Sequence, residues 1–206
     1  RRASFNLIGA GEPERLAGRM ASANFFKAFG ASLFKGSDFP ASEDRVGGQK
    51  VVILGHGFWQ RRFGGDEGIV GKQLTLNNQS YTVVGITSPD FRFGSDTDIY
   101  TLIGQNDDKC FKSRGCHPGI YVVGRLKPGA SIQQAQANFA TAFQRAAIAG
   151  MAEYQSTLTT DEKALSTNRQ HGTAVPELLV RSAAHGYYDV DPQARRSASV
   201  LAVVVV

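Results

Sequence analysis

The sequence predicts an α+β fold in which sheet dominates, and three observations carry that prediction. Glycine is frequent, at 23 of 206 residues, and aromatics make up 10%, mostly phenylalanine. Such a mix suits short strands joined by many turns. The stretch from Lys72 to Ile86 alternates in polarity on both sides of Asn77-Asn78, the pattern of a β-hairpin. By contrast, Ile132, Ala135, Phe139, Phe143 and Ala146 recur at helical spacing. With 42% hydrophobic and 20% charged residues, the chain can bury its own core as one globular unit with room for two lobes.

The elements follow in order. Ala3 to Ile8 reads as a strand, with Phe5 and Leu7 on one face. Gly9 to Pro13 is a turn, and Glu14 to Ala21 returns as the hairpin partner. Ser22 is placed to cap a short helix carrying Phe25, Phe26 and Phe29, which Gly30 closes. Lys35 to Gly48 is polar, contains Glu43-Asp44, and reads as a surface loop. Lys50 to Leu54 is a β-branched strand that turns at Gly55-His56-Gly57 into a helix bearing Phe58, Trp59 and Phe63. Gly64-Gly65 ends that helix, and the hairpin of 72–86 follows. Pro89 to Thr97 is a loop around Phe91 and Phe93, and Ile99 to Ile103 is a short strand.

Residues 104–119 form a polar loop that holds both cysteines, Cys110 and Cys116. Ile120 to Leu126 is a strand, and Lys127-Pro128-Gly129 a turn. Ser131 caps the next helix, with Gln134 at the capping-box position. Residues 151–172 are polar and threonine-rich and read as solvent-facing, and Val175 to Arg181 as a last strand. Val200 to Val206 is wholly apolar. It fits either a final buried strand, which valine favours, or the first turns of a transmembrane helix with Arg195-Arg196 at the membrane surface. No h-region follows the opening Arg-Arg-Ala-Ser, and no stretch reaches the roughly 18 apolar residues of a complete span.

The chemistry-bearing residues exclude more than they suggest. The net charge is +5, but the basic residues occur in ones and twos, and no basic-aromatic motif for nucleic acid is present. Leu54-Gly55-His56-Gly57 and Ile8-Gly9-Ala10-Gly11 imitate a dinucleotide fingerprint. A working fingerprint needs a small residue three positions later, where this chain has Gln60 and Glu14. His56, His117, His171 and His185 form no i, i+4 pair that would hold zinc on one helix. A phosphate loop and a nucleophile elbow are both missing. The acidic pairs Glu43-Asp44, Asp107-Asp108 and Asp161-Glu162 read as solvated loop residues. The sequence therefore assigns no catalytic, cofactor-binding or metal-binding residue. Trp59 reads as core. The spacing of Cys110 and Cys116 permits a disulfide in an oxidising compartment without establishing one.

A series of short motifs carries a resemblance. Ser22-Ala23-Asn24-Phe25-Phe26 with Gly30, the loop of Gly36, Phe39 and Glu43-Asp44, and Val51 to Gly65 with Trp59 and Phe63 occur in order. Val70-Gly71-Lys72 and Tyr81-Thr82-Val83-Val84-Gly85-Ile86 follow. Then come Phe91-Arg92-Phe93, and Arg125-Leu126-Lys127-Pro128-Gly129 with Ala135-Gln136-Ala137. Over about residues 3–149 this series resembles the MacB-like periplasmic core domain of ABC-type permeases, in a variant similar to the large permeases of soil bacteria. Lys35-Gly36-Ser37 departs from the family's usual Gly-Arg, and residues 150–193 match poorly.

The resemblance implies a two-lobed extracytoplasmic domain over 1–199. A porter-like βαβ lobe would comprise about 1–22 plus 118–199, and an inserted sheet-rich lobe about 23–117. It favours the start of a membrane helix at 200–206. It implies a mechanical role without catalytic residues or cofactors, on the periplasmic side of the inner membrane. The implied partners are the permease's own membrane helices, a cytoplasmic ATPase subunit or domain, a second permease copy and a periplasmic adaptor. An oxidising location would let a Cys110–Cys116 disulfide persist. The rival expectation is a secreted module that binds a small ligand or sugar with its Phe-rich loops. A third is an enzyme with a site of unfamiliar pattern.

Overall fold

A computed structural model describes residues 1–9, 11–91, 93, 97–108, 122–157, 159–161, 178–182 and 201–205. The chain divides into two compact units, Arg1–Asp107 and Asp108–Val206.

The first unit is built from seven strands. They are β1 (Arg2–Ile8), β2 (Glu14–Ala21), β3 (Leu33–Gly36), β4 (Val51–Leu54), β5 (Gln73–Leu76), β6 (Gln79–Thr87) and β7 (Ile99–Leu102). The strand order is β3-β6-β4-β7-β2-β1-β5, and β5 also pairs with β6. Six strands therefore close into a barrel, with β3 attached outside along the far half of β6. Closure leaves those six with few open edges, which protects a sheet-rich unit from pairing with other chains.

Alternation explains what each face buries. Phe5 and Leu7 of β1, Leu74 and Leu76 of β5, and Tyr81 and Val83 of β6 share one core cluster with Val52, Leu54 and Ile99. The other faces of β4 and β7 are buried too. Val51, Ile53, Tyr100 and Leu102 form a second cluster beneath Phe26 of helix α1 (Phe25–Phe29) and Phe39. That is why Val51 to Leu54 is an unbroken apolar run rather than an alternating one.

The expected hairpin of 72–86 is present as β5 and β6, with Leu74 opposite Tyr81 and Leu76 opposite Gln79. Asn77 and Asn78 both take positive φ, 49° and 62°, as a tight hairpin turn demands. Helix α2 (His56–Phe63) follows β4 and ends in left-handed Gly64, as read from the sequence. Helix α1 differs in detail. Asn24 rather than Ser22 is its cap residue, and the Ser22 hydroxyl donates to Asn24 Oδ1 at 2.8 Å.

Within the second unit, β8 (Val122–Gly124), α3 (Ile132–Thr157), β9 (Leu178–Ser182) and β10 (Leu201–Val205) are described. The sheet order is β8-β10-β9, all parallel. The capping box forms as expected: Ser131 N–H donates to Gln134 Oε1 and Gln134 N–H to Ser131 Oγ, at 2.8 and 3.1 Å. Ala135 is buried with Leu178 and Val180, with Ile132 and Phe143 packed beside them. Phe139, expected on the same face, is 53% exposed.

Helix α3 runs on to Thr157, and Ala152, Glu153 and Ser156 on its last turns are exposed, as the solvent-facing reading of this stretch expects. Leu201–Val205 is strand β10, paired with β9 along its whole length and with β8 from Val203 to Val205, in line with the strand reading of this valine run. Residues 1–22 supply β1 and β2 of the barrel, with β1 paired to β5 and β2 to β7. Among the described residues, no helix is long and apolar enough to cross a membrane.

Candidate functional site

The most distinctive block of the sequence, Gly55 to Gly65, becomes the end of β4 and all of α2. The local reason for its first glycine is steric. A Cβ on Gly55 would lie 2.2 Å from the carbonyl oxygen of Thr97. Gly55 thus lets the chain leave β4 tight against the strand that enters β7, and its N–H donates to the Asp98 carbonyl at 2.8 Å. The Gly-x-Gly spacing serves backbone packing, and Gln60 occupies the place where a nucleotide fold needs a small residue.

His56 opens α2. Its backbone N–H donates to Thr87 Oγ1 at 3.0 Å, and its half-buried ring meets Phe34 and Trp59 edge to face. Trp59 is 2% exposed, and its indole N–H donates to the Asp66 carbonyl at 2.9 Å. It is therefore core, as expected, packed with the hairpin residues Leu74, Leu76, Tyr81 and Val83.

A cleft of about 420 Å³ opens beside this turn. Phe58, Phe91, Phe93 and Tyr100 supply aromatic wall, and Arg61 and Asp98 supply charge. These charged groups are occupied within the fold. Arg61 donates to Glu14 at 2.7 Å and to Asp98 at 3.3 Å. The Glu14 carboxylate raises the Arg61 pKa above its ordinary value, with Asp98 adding to the effect. Asp98 also accepts the Ala17 N–H at 2.8 Å. Arg19 Nε donates to Thr97 Oγ1 at 3.0 Å and its guanidinium lies 4.9 Å from the Phe93 ring centre. The described contacts contain no nucleophile paired with a base, and among the described residues no group of three His, Cys, Asp or Glu is placed to hold a metal ion.

The acidic pair that the sequence leaves as solvated loop has a structural task. Asp44 accepts the N–H of Ala23 at 2.9 Å and that of Gly104 at 2.7 Å. It ties the loop after β3 to the start of α1 and to the chain leaving β7. Glu43 is held below the ordinary carboxylate range, chiefly by the backbone N–H of Gln49 and then by the Ser42 hydroxyl. The available signal was the place of this pair in the motif series, not its charge. Cys110 and Cys116 lie outside the described residues, as do His117, His171 and His185.

Comparison with known proteins agrees with this architecture. The family described as the MacB-like periplasmic core domain matches residues 3–142. Among solved structures, the periplasmic region of MacB from Actinobacillus actinomycetemcomitans aligns at 13% identity and TM-score 0.51, over 70% of this chain and 64% of that one. A domain of a permease from Porphyromonas gingivalis aligns at 15% identity and TM-score 0.48, over 70% and 65%. The extracellular domain of the noncanonic ABC-type transporter YknZ from Gram-positive bacteria aligns at 14% identity and TM-score 0.40, over 49% and 50%. The chain thus spans half to just under two-thirds of these structures. None of the curated proteins matches it.

Proposed function

We propose, because this chain belongs to the MacB-like periplasmic core domain family, that it is the extracytoplasmic domain of an ABC transporter permease. Its task is to couple ATP-driven motion of membrane helices to a substrate or partner outside. The observation that carries this reading is the extent of the family match. It spans residues 3–142 and so includes all of the barrel but its first residue, rather than one motif. The barrel supports a mechanical role, since its close-packed core has low compressibility and transmits strain between the strands around it. The internal pairing of Arg61 with Glu14 and Asp98 supports a role without catalysis.

On this reading the partners are the permease's membrane helices, a cytoplasmic ATPase subunit or domain, a second permease copy and a periplasmic adaptor. The site of action is the periplasmic side of the inner membrane, and nucleic acid is not a partner. Cys110 and Cys116 form a disulfide there. Intact mass after thiol alkylation without reductant tests that bond, and two alkylated cysteines would sink it.

Hydrogen exchange in the full-length permease, reconstituted with its ATPase, tests the coupling. Trapping the ATPase with ATP and vanadate should change exchange rates within residues 1–199. Identical rates with and without nucleotide would rule the coupling out.

A further inference from the structure

The barrel is not equally strong around its circumference. The β1–β2 seam runs from Arg2 opposite Arg19 to Leu7 opposite Glu14. The β5–β6 seam runs from Gln73 opposite Thr82 to Leu76 opposite Gln79, and the β2–β7 seam from Gly18 opposite Ile99 to Ala21 opposite Leu102. The β1–β5 seam has only Leu7 opposite Leu76 and Ile8 opposite Thr75.

What ends that seam is Asn77. Its positive φ of 49° turns the chain into β6, and Asn6 N–H takes its side-chain oxygen rather than its backbone carbonyl as acceptor. Its side chain substitutes for the missing carbonyl. Asn6 N–H donates to Asn77 Oδ1 at 2.8 Å, and Asn77 N–H donates to the Asn6 carbonyl at 3.0 Å. Both residues are exposed, so water competes for these two bonds. Among the described residues, no strand pairs with Arg2 to Phe5 on this edge of β1.

We propose that the β1–β5 seam is where this barrel opens, and that the reciprocal Asn6–Asn77 pair is the clasp that holds it shut. Opening there turns the ring into an open sheet, β5-β6-β4-β7-β2-β1, in which every strand keeps a partner. It uncovers Leu7 and Leu76, both 0% exposed when the seam is closed, while both hairpins stay intact. The seam belongs to the barrel itself, so it stands whether or not the chain serves transport.

Amide exchange by NMR on the 206-residue chain tests this. Asn77→Gly keeps a residue that accepts positive φ but removes the Oδ1 acceptor. The amides of residues 6 and 77 should exchange at least about ten-fold faster, while those within the β1–β2 and β2–β7 pairings keep their rates. Asn77→Asp keeps an acceptor and should keep the slow rates. Unchanged rates in Asn77→Gly, or acceleration of all strands together, would overturn the clasp. In the wild-type chain under sub-denaturing urea, exchange at Asn6 and Asn77 should depend on urea with a shallow slope, set by the small area around Leu7 and Leu76 that the opening uncovers. The β1–β2 amides should follow the global slope, and one common slope would also overturn the proposal.

Discussion

Trp59 donates its indole N–H to the backbone carbonyl of Asp66, at 2.9 Å, across the turn that ends α2. One bond thereby fixes the most hydrophobic side chain of the conspicuous Gly55–Gly65 block and satisfies its only polar atom. A tryptophan held this way is a structural residue, not part of an open ligand ridge.

Trp59→Phe keeps an aromatic ring but leaves the Asp66 carbonyl without this donor. It should lower unfolding free energy by about 1–3 kcal/mol, read from urea denaturation followed by circular dichroism. Trp59→Ala also leaves a void among Leu74, Leu76 and Val83 and should cost about 3–5 kcal/mol. Losses below about 0.5 kcal/mol for both variants would mean that Trp59 is not core.

Asp44→Ala removes the acceptor for two backbone amides, those of Ala23 and Gly104. The expected loss is about 2 kcal/mol, with Asp44→Asn intermediate because one oxygen remains. Gly104→Ala should be worse than an ordinary surface change, since a Cβ there would lie 2.2 Å from the Asp44 carbonyl oxygen. Thermal denaturation of the three variants checks this, and wild-type stability in Asp44→Ala would refute the latch.

Burial holds the hydroxyls of Tyr81 and Tyr100 above the ordinary tyrosine value of 10.0. For Tyr100, a hydrogen bond with Thr97 offsets part of that rise. Above pH 10 the unfolded chain loses these protons while the folded chain still holds them. Raising the pH therefore favours unfolding, and stability should fall as pH climbs from about 10. Denaturation midpoints taken between about pH 9 and 11 should drop in the wild type and drop less in Tyr81→Phe/Tyr100→Phe. Equal slopes for the two chains would contradict this account.

Much of the barrel was legible because its signals are local. Asn77-Asn78 between alternating strands fixes the β5–β6 hairpin, and Gly64 after Phe63 fixes the end of α2. Strand β4 was visible as a β-branched run, while its burial on both faces came only with the structure. Ring closure was not legible. It depends on Leu7 meeting Leu76, distant in sequence, and no periodicity records such a meeting. Asp44 was misjudged for a related reason: composition shows that a carboxylate lies in a polar loop, not which distant amides converge on it. The valine run at 201–205 fits strand or membrane helix by pattern alone, and no local signal records its pairing with β8 and β9.

The central claim is an extracytoplasmic domain that belongs to a membrane permease. Val46 is 51% exposed and serves as a labelling position. The direct measurement places a single cysteine there, Val46→Cys, in the full-length protein with Cys110→Ser and Cys116→Ser. Spheroplasts are treated with a membrane-impermeant maleimide and then fractionated. The account predicts full labelling in intact spheroplasts, with the labelled protein in the membrane pellet. Labelling only after lysis, or labelled protein released into the soluble periplasmic fraction, would contradict it.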